Sequence, residues 1–173
     1  MSSSHAIRVS ADIGATQAAV WERVSDHEDT PSWVEAVKRV TLAQSGTPRN
    51  GLGAVRVVRF KPALWTTIHE TITRFEPPHA FDYVLFKGMP ALTSHLGRVS
   101  VDDLGRDRSR LNWDVDFVFR TIHPFRLFLP SFLREFEAVL RTAVANLKAQ
   151  LEGGTDSADE HSRSVHKVRR QVN

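Results

Sequence analysis

Two side chains capable of acid–base chemistry, Glu70 and His95, occur in segments whose neighbours alternate between apolar and polar residues. Residues two apart along a strand point to the same face, so Ile68, Glu70 and Ile72 share one face of a predicted strand. The same alternation places His95 beside Gly97 on the inner face of another strand. A carboxyl group or an imidazole in an apolar wall can transfer a proton or anchor a ligand. We therefore expect Glu70 and His95 to be candidate catalytic residues.

Both residues also have purely structural explanations. Glu70 can pair with a basic neighbour such as Arg56, or lie in water at the mouth of a pocket. His95 can be a hydrogen-bonded residue of the wall, which is the more common role for a single buried histidine. The residue types alone leave these alternatives open.

Other motifs that carry chemistry are absent from the sequence. There is no cysteine, which excludes disulfides, thiolate metal sites and a cysteine nucleophile. The histidines form no His-Glu-x-x-His pair, and the glycines form neither a dinucleotide-binding nor a phosphate-binding loop. No Gly-x-Ser-x-Gly elbow is present. We expect no metal site and no cofactor.

The elements that must position these residues follow from hydrophobic periodicity. Alternation predicts a first strand over Ile7–Ile13, and Thr16 is a candidate cap for a helix through Val24. A second short helical turn is predicted around residues 31–34. Six further strands are predicted over 37–43, 54–60, 66–75, 80–86, 94–102 and 110–119. The short turns between them predict an antiparallel meander.

A long amphipathic helix is predicted from Pro130 to Leu151. Its apolar face recurs at helical spacing and consists of Leu129, Phe132, Leu133, Phe136, Val139, Leu140, Ala143, Val144, Leu147 and Leu151. Only a curved antiparallel sheet is available to cover this face, and bulky aromatics on the sheet favour a hollow between the two layers. We expect a cavity protein with a single domain over residues 1–152, followed by a disordered tail over 153–173.

The order of elements resembles the helix-grip fold of the START-like (SRPBCC) superfamily, in particular its polyketide cyclase/dehydrase-like branch. The resemblance spans most of residues 6–152 and is carried by segments that are each degenerate alone: Ile7–Ile13 leading into Ala18-Ala19-Val20-Trp21, Trp33, Gly51-Leu52-Gly53-Ala54-Val55-Arg56, Glu70 to Glu76-Pro77-Pro78, Gly88-Met89-Pro90, His95-Leu96-Gly97-Arg98-Val99, and Arg110-Leu111-Asn112-Trp113 before Phe117. It implies an α+β fold in which about seven strands wrap around the last helix, with two short helices after the first strand. It also implies a pocket for a hydrophobic, lipid or polyketide-like molecule, but not catalysis, since this superfamily mixes carriers, sensors and enzymes.

Strand alternation and the apolar face of the helix together predict which residues form the pocket wall. The candidate ligand-binding residues are Trp33, Ile68, Glu70, Tyr83, Leu85, Met89, His95, Trp113, Phe117, Phe132, Phe136, Leu140 and Ala143. The aromatic residues among them can stack on a flat ligand or simply fill the core. The loop Lys87–Ala91 is a candidate gate, or an ordinary connection between strands.

Three functions fit this pattern. The first is a binding protein for a small hydrophobic or aromatic ligand. The second is a polyketide-type cyclase or dehydratase in which Glu70 and His95, with Tyr83, move protons. The third is a ligand-free dimerisation module that uses the lip Phe125–Phe132 of the apolar segment 121–132. A homodimer is thus a hypothesis for the partner of this chain.

The composition argues against nucleic acids and membranes as partners. The 23 basic and 20 acidic residues are scattered along the chain and leave a net charge of +3, which argues against nucleic-acid binding. No segment reaches the ~18 consecutive apolar residues of a membrane span, so we expect no stable membrane insertion. The first residues lack the features of a signal peptide, and we expect a cytoplasmic protein.

Overall fold

A computed structural model describes residues 2–61, 67–89, 91–120 and 125–169; in the last helix the described side chains are those of 127–153. Within these residues the elements are β1 (Ser2–Ile13), α1 (Gln17–Ser25), a 3₁₀ helix (His27–Ser32), β2 (Val37–Gln44), β3 (Val55–Phe60), β4 (Ile68–Glu76), β5 (Ala80–Lys87), β6 (Leu92–Gly105), β7 (Arg108–Arg120) and α2 (Phe125–Arg169).

The described strands form one antiparallel sheet in the order β1-β7-β6-β5-β4-β3-β2. Each strand from β2 to β6 pairs with the next one along the chain, which confirms the predicted meander. Strand β1 lies at the edge of the sheet beside β7. The whole length of β1 pairs with β7, from Ser2 opposite Arg120 to Ile13 opposite Ser109. The α+β helix-grip fold with a seven-stranded sheet is therefore confirmed.

The first helix begins where its cap was predicted. The Oγ1 atom of Thr16 accepts a hydrogen bond from the amide of Ala19 at 3.2 Å, which satisfies one of the otherwise unpaired amides at a helix start.

The second helical turn was predicted around residues 31–34, and this prediction is wrong in position, because a 3₁₀ helix occupies His27–Ser32. The reason is a second cap: the Asp26 carboxylate accepts a hydrogen bond from the amide of Glu28 at 3.2 Å, which starts the turn earlier.

The last helix is longer than its periodicity predicted. It begins at Phe125, five residues before Pro130, so that this proline lies inside the helix and removes one backbone hydrogen bond there. It also continues to Arg169 through the segment predicted to be disordered. Apolar periodicity reports which residues pack, whereas a helix already formed adds one backbone bond for each further residue. The domain boundary at Glu152 stays a prediction.

The core lies between the sheet and α2. Residues Leu111, Trp113, Val115, Phe117 and Phe119 of β7 are all buried, which confirms the predicted inner face of that strand. They pack with the buried residues of α2, namely Leu129, Phe132, Leu140, Ala143, Val144 and Leu147.

Polar contacts fix the C-terminal half of the described α2 side chains against the start of the chain. The Lys148 ammonium donates to the carbonyl of Asp12 at 2.7 Å, and the Glu152 carboxylate accepts from the amide of Gly14 at 2.8 Å. The Gln150 amide donates to the carbonyl of Ser32 at 2.7 Å. These bonds therefore fix residues 148–152 of α2 to the end of β1 and to the 3₁₀ helix.

Candidate functional site

A cavity of about 60 Å³ lies between the inner face of the sheet and α2. One water molecule needs about 10–15 Å³ of such space, so the cavity has room for a few waters. Its wall is formed by Thr30, Val34, Val37, Arg56, Val58, Phe60, Ile68, Glu70, Tyr83, Leu85, Met89, His95, Trp113, Phe117, Phe136, Val139 and Leu140. Most of these side chains are apolar, and the polar ones come from neighbouring strands and the 3₁₀ helix.

The centre of the polar part is an ion pair between two buried side chains. The Nε atom of Arg56 donates to the Glu70 carboxylate at 2.7 Å, and the side chains are only 9% and 6% exposed. The two residues lie directly opposite each other in the β3–β4 register. Each charge is costly to bury alone, and the direct contact compensates both.

A histidine supports the outer side of this pair. The ring of His27 is fully buried, with Nδ1 3.2 Å from Nη1 of Arg56 and Nε2 2.9 Å from the carbonyl of Asn50. Because a guanidinium only donates and a carbonyl only accepts, Nδ1 must be the acceptor and Nε2 must carry the proton. Burial, and then the positive charge of Arg56, lower the pKa of His27 to about 3. His27 is therefore neutral and orients Arg56.

Tyr83 covers the other side of the guanidinium. The Arg56 carbon Cζ lies 4.3 Å from the centre of the Tyr83 ring, a cation–π distance. The Tyr83 hydroxyl accepts a hydrogen bond from Nε1 of Trp113 at 2.8 Å. Burial, followed by the nearby Glu70 charge, raises the pKa of Tyr83, so the hydroxyl keeps its proton.

A glycine makes the position of Tyr83 possible. Gly97 lies opposite Tyr83 in the β5–β6 register, and a Cβ atom added there would lie 2.1 Å from the tyrosine Cζ. That distance is far below van der Waals contact, so the ring can pack flat on the strand only because residue 97 has no side chain.

His95 lies next to Tyr83, with 5.5 Å between the ring centres. Its Nδ1 accepts a hydrogen bond from the amide of Leu85 at 3.3 Å, which places the proton of the neutral ring on Nε2. Burial lowers the pKa of His95 and outweighs the opposing effect of Glu70. His95 is thus a neutral hydrogen-bond donor in the cavity wall.

The arrangement is better suited to hold a ligand than to move protons. The Glu70 carboxylate already accepts a hydrogen bond from the Arg56 guanidinium. The one lone pair available on the neutral His95 ring already accepts from a backbone amide. What remains directed at the cavity is a set of donors around one ion pair.

Most predicted ligand-binding residues line the cavity: Ile68, Glu70, Tyr83, Leu85, Met89, His95, Trp113, Phe117, Phe136 and Leu140. Three others lie behind the wall. Trp33 is buried and packs on Trp113 with 5.5 Å between ring centres, Phe132 packs on Phe117 and Phe119, and Ala143 is buried in the core. The ligand-binding and catalytic roles of these residues stay predictions. The proposed gate at Lys87–Ala91 includes residue 90, and the apolar segment 121–132 includes residues 121–124, which lie outside the described residues.

The sequence analysis missed several residues of the site. Arg56 was named only as a partner for Glu70, although it occupies an inner position in the alternating series Ala54, Arg56, Val58 and Phe60. That alternation was a usable signal, because a charged residue in an inward series needs a buried partner. His27 had no such signal, because it lies in an irregular turn.

A family model described as "Polyketide cyclase / dehydrase and lipid transport" matches residues 4–152. A search of curated proteins gave no match. Among the described residues, no group of three or more acidic or histidine side chains is placed to hold a metal ion, and no helix is long and apolar enough to cross a membrane.

Solved structures with the same fold include enzymes and a START protein. One is the aromatase/cyclase Zhui from Streptomyces sp. R1128, with 16% identity, a TM-score of 0.68 and coverage of 87% of this chain and 94% of that one. A second is a point mutant of norcoclaurine synthase from Thalictrum flavum, with 13% identity, a TM-score of 0.66 and coverage of 87% and 97%. A third is a START superfamily protein from Mycobacterium smegmatis, with 17% identity, a TM-score of 0.62 and coverage of 83% and 99%. At these identities the similarity shows the fold.

Proposed function

The chain belongs to the polyketide cyclase/dehydrase and lipid transport family, whose members generally bind hydrophobic ligands, and on that premise we propose that it binds a small hydrophobic or aromatic molecule in the cavity between the sheet and α2. The observation that carries this proposal is the composition of the cavity wall. Among the described lining residues, apolar side chains from β3, β4, β5, β7 and α2 surround the polar cluster of Arg56, Glu70, Tyr83 and His95. Pockets for small molecules have this character, with apolar walls for affinity and a few polar groups for orientation.

Binding requires the cavity to widen. An apolar cavity of about 150 Å³ holds benzene, so 60 Å³ is too small for an aromatic ligand. Met89 and Phe136 lie on the wall and are only partly buried, so they are the side chains that we expect to move when a ligand enters. Met89 is unbranched and adapts readily to a new shape. We propose that a ligand replaces part of the volume these two side chains occupy.

The geometry supports binding over the cyclase or dehydratase alternative. A general base needs a free lone pair of suitable basicity near the reacting proton. Glu70 is paired with Arg56, and Nδ1 of His95 is occupied by the amide of Leu85. A catalytic role for Glu70 and His95 therefore stays a hypothesis that a turnover assay on a candidate polyketide would test.

The remaining hypotheses concern partners and location. Leu127 and Phe128 near the start of α2 are 70% and 65% exposed, and these two apolar side chains support the dimer hypothesis. Homodimer formation and a cytoplasmic location stay predictions.

The cavity can be tested by filling it. Val139 lines the cavity from α2, whereas Ala138, the preceding residue, is exposed to solvent. We expect wild-type protein to bind the neutral fluorophore Nile red, and Val139→Trp to weaken that binding by roughly tenfold or more, because the indole occupies ligand space. The measurement is a fluorescence titration.

Ala138→Trp is the matched control, since it adds the same side chain on the outer face of the same helix turn. It should leave Nile red binding unchanged. If both variants fold and bind the dye equally well, or if wild-type protein does not bind it, the ligand site is not in this cavity.

A further inference from the structure

The charges of the described cavity wall cancel. Among the described residues that line the cavity, the charged side chains are Arg56 and Glu70, which lie in direct contact at 2.7 Å and neutralise each other. Because a guanidinium is always protonated in proteins, the positive charge is permanent, and among the described lining residues the Glu70 carboxylate is its counter-charge.

No other group near the pair adds charge at neutral pH. His27, which contacts Arg56, has a pKa of about 3, and burial lowers the pKa of His95. The raised pKa of Tyr83 keeps its hydroxyl neutral. A ligand that carried its own negative charge would thus enter an apolar site without a free counter-charge.

The same cluster offers hydrogen-bond donors. The Arg56 guanidinium, the Nε2–H group of His95 and the Tyr83 hydroxyl are all donors, and the Tyr83 hydroxyl also accepts from Trp113 and adjoins Arg56. The three residues adjoin one another, with Arg56 over the Tyr83 ring and His95 beside it. A ligand atom that accepts hydrogen bonds is the chemical complement of this cluster.

We propose that the cavity selects neutral hydrophobic molecules that carry a carbonyl-type acceptor, and that Glu70 excludes anionic analogues by cancelling the charge of Arg56. This inference rests on the proposed function of the cavity. It assigns Glu70 a role in ligand selectivity and not in proton transfer. Removing the carboxylate charge while keeping its shape would leave Arg56 free to pair with an anionic ligand.

The test compares two probes of nearly the same shape, acetophenone and benzoate, by NMR titration at neutral pH. We expect the wild-type protein to bind acetophenone roughly tenfold or more tightly than benzoate, because an uncompensated charge is costly to bury. In Glu70→Gln we expect benzoate affinity to rise by roughly tenfold or more over wild type. In the double variant Arg56→Gln/Glu70→Gln, the described cavity wall again has no net charge, so we expect this gain in benzoate affinity to be lost.

The outcomes separate this inference from the proposed function. Wild-type binding of benzoate as tight as that of acetophenone overturns the selectivity while leaving the cavity as a ligand site. A folded Glu70→Gln protein with no gain for benzoate overturns the role of Glu70. If neither probe binds wild-type protein, the proposed function and this inference both fail. If Glu70→Gln does not fold, the wild-type comparison decides the selectivity alone.

Discussion

At the scale of single residues, the decisive feature is a chain of buried polar contacts. It runs from the carbonyl of Asn50 through His27 and Arg56 to Glu70, with distances of 2.9, 3.2 and 2.7 Å. Such an arrangement is not the most stable way to fill a core, because well-packed apolar residues often do as well or better. It is consistent with a site whose polar groups serve a ligand.

The buried histidine makes stability sensitive to acid. The pKa of His27 is about 3 in the folded protein and about 6.5 in the unfolded chain, so between these values only the unfolded chain takes up the proton. Stability is therefore fully present above pH 6.5 and falls as the pH drops toward 3. Between pH 7 and pH 5 this single group should remove about 2 kcal/mol, at 1.36 kcal/mol for each pKa unit below 6.5.

His27→Gln should lessen that loss, because an amide can still donate to Asn50 and accept from Arg56 but does not titrate. Urea unfolding of both proteins at pH 7 and pH 5 measures the difference. An equal loss of stability in the two proteins would show that His27 can take up a proton in the folded state.

Residue-level prediction from the sequence succeeded where strand alternation applied. The inward placement of Glu70 and His95 is confirmed, since both are buried on the inner face. Of the two structural explanations for Glu70, the structure has the pair with Arg56. His27 could not be predicted, because its place depends on a 3₁₀ turn and on contacts between residues far apart in sequence.

At the scale of elements, local signals predicted the type of each element better than its ends. Thr16 marked the start of α1, and alternation found every described strand. The first strand was predicted from Ile7 but begins at Ser2, because its added residues pair with the end of β7. The residues of β1 before Ile7 are mostly polar, so their pairing with a distant segment could not be predicted from local alternation.

The last helix allows a test at this scale. The described side chains of α2 contact the first strand and the 3₁₀ helix through Lys148 and Gln150, and the Glu152 carboxylate accepts from the amide of Gly14. Truncation after Glu152 should therefore change the free energy of unfolding by no more than about 0.5 kcal/mol, the usual range for surface changes. Thermal unfolding of the full and shortened chains measures this.

Truncation before Leu147 is the contrasting control. Leu147 is fully buried, and its removal together with the polar contacts at 148–152 should be severely destabilising. A large loss on cutting after Glu152 would show that the continuation of α2 to Arg169 packs on the domain.

At the scale of the whole molecule, the cavity lies where the apolar face of α2 packs against the inner face of the sheet. Aromatic side chains of β7 and α2 meet edge to face across the two layers, as in the packing of Phe117 on Phe136 at 5.2 Å and 83°. The sequence indicated this architecture because the apolar faces of α2 and β7 are continuous. It could not indicate the size of the cavity, which depends on side-chain orientations across the layer.

The most direct test of the central claim is to locate a bound ligand. In methyl-labelled protein saturated with acetophenone, we expect nuclear Overhauser effects from the ligand protons to the methyl groups of Val58, Leu85 and Leu140, which all line the cavity. Leu52, which is 56% exposed, supplies an internal control that should show none. Contacts confined to exposed methyl groups such as Leu52 or Leu127, with none to the cavity residues, would contradict a ligand site between the sheet and α2.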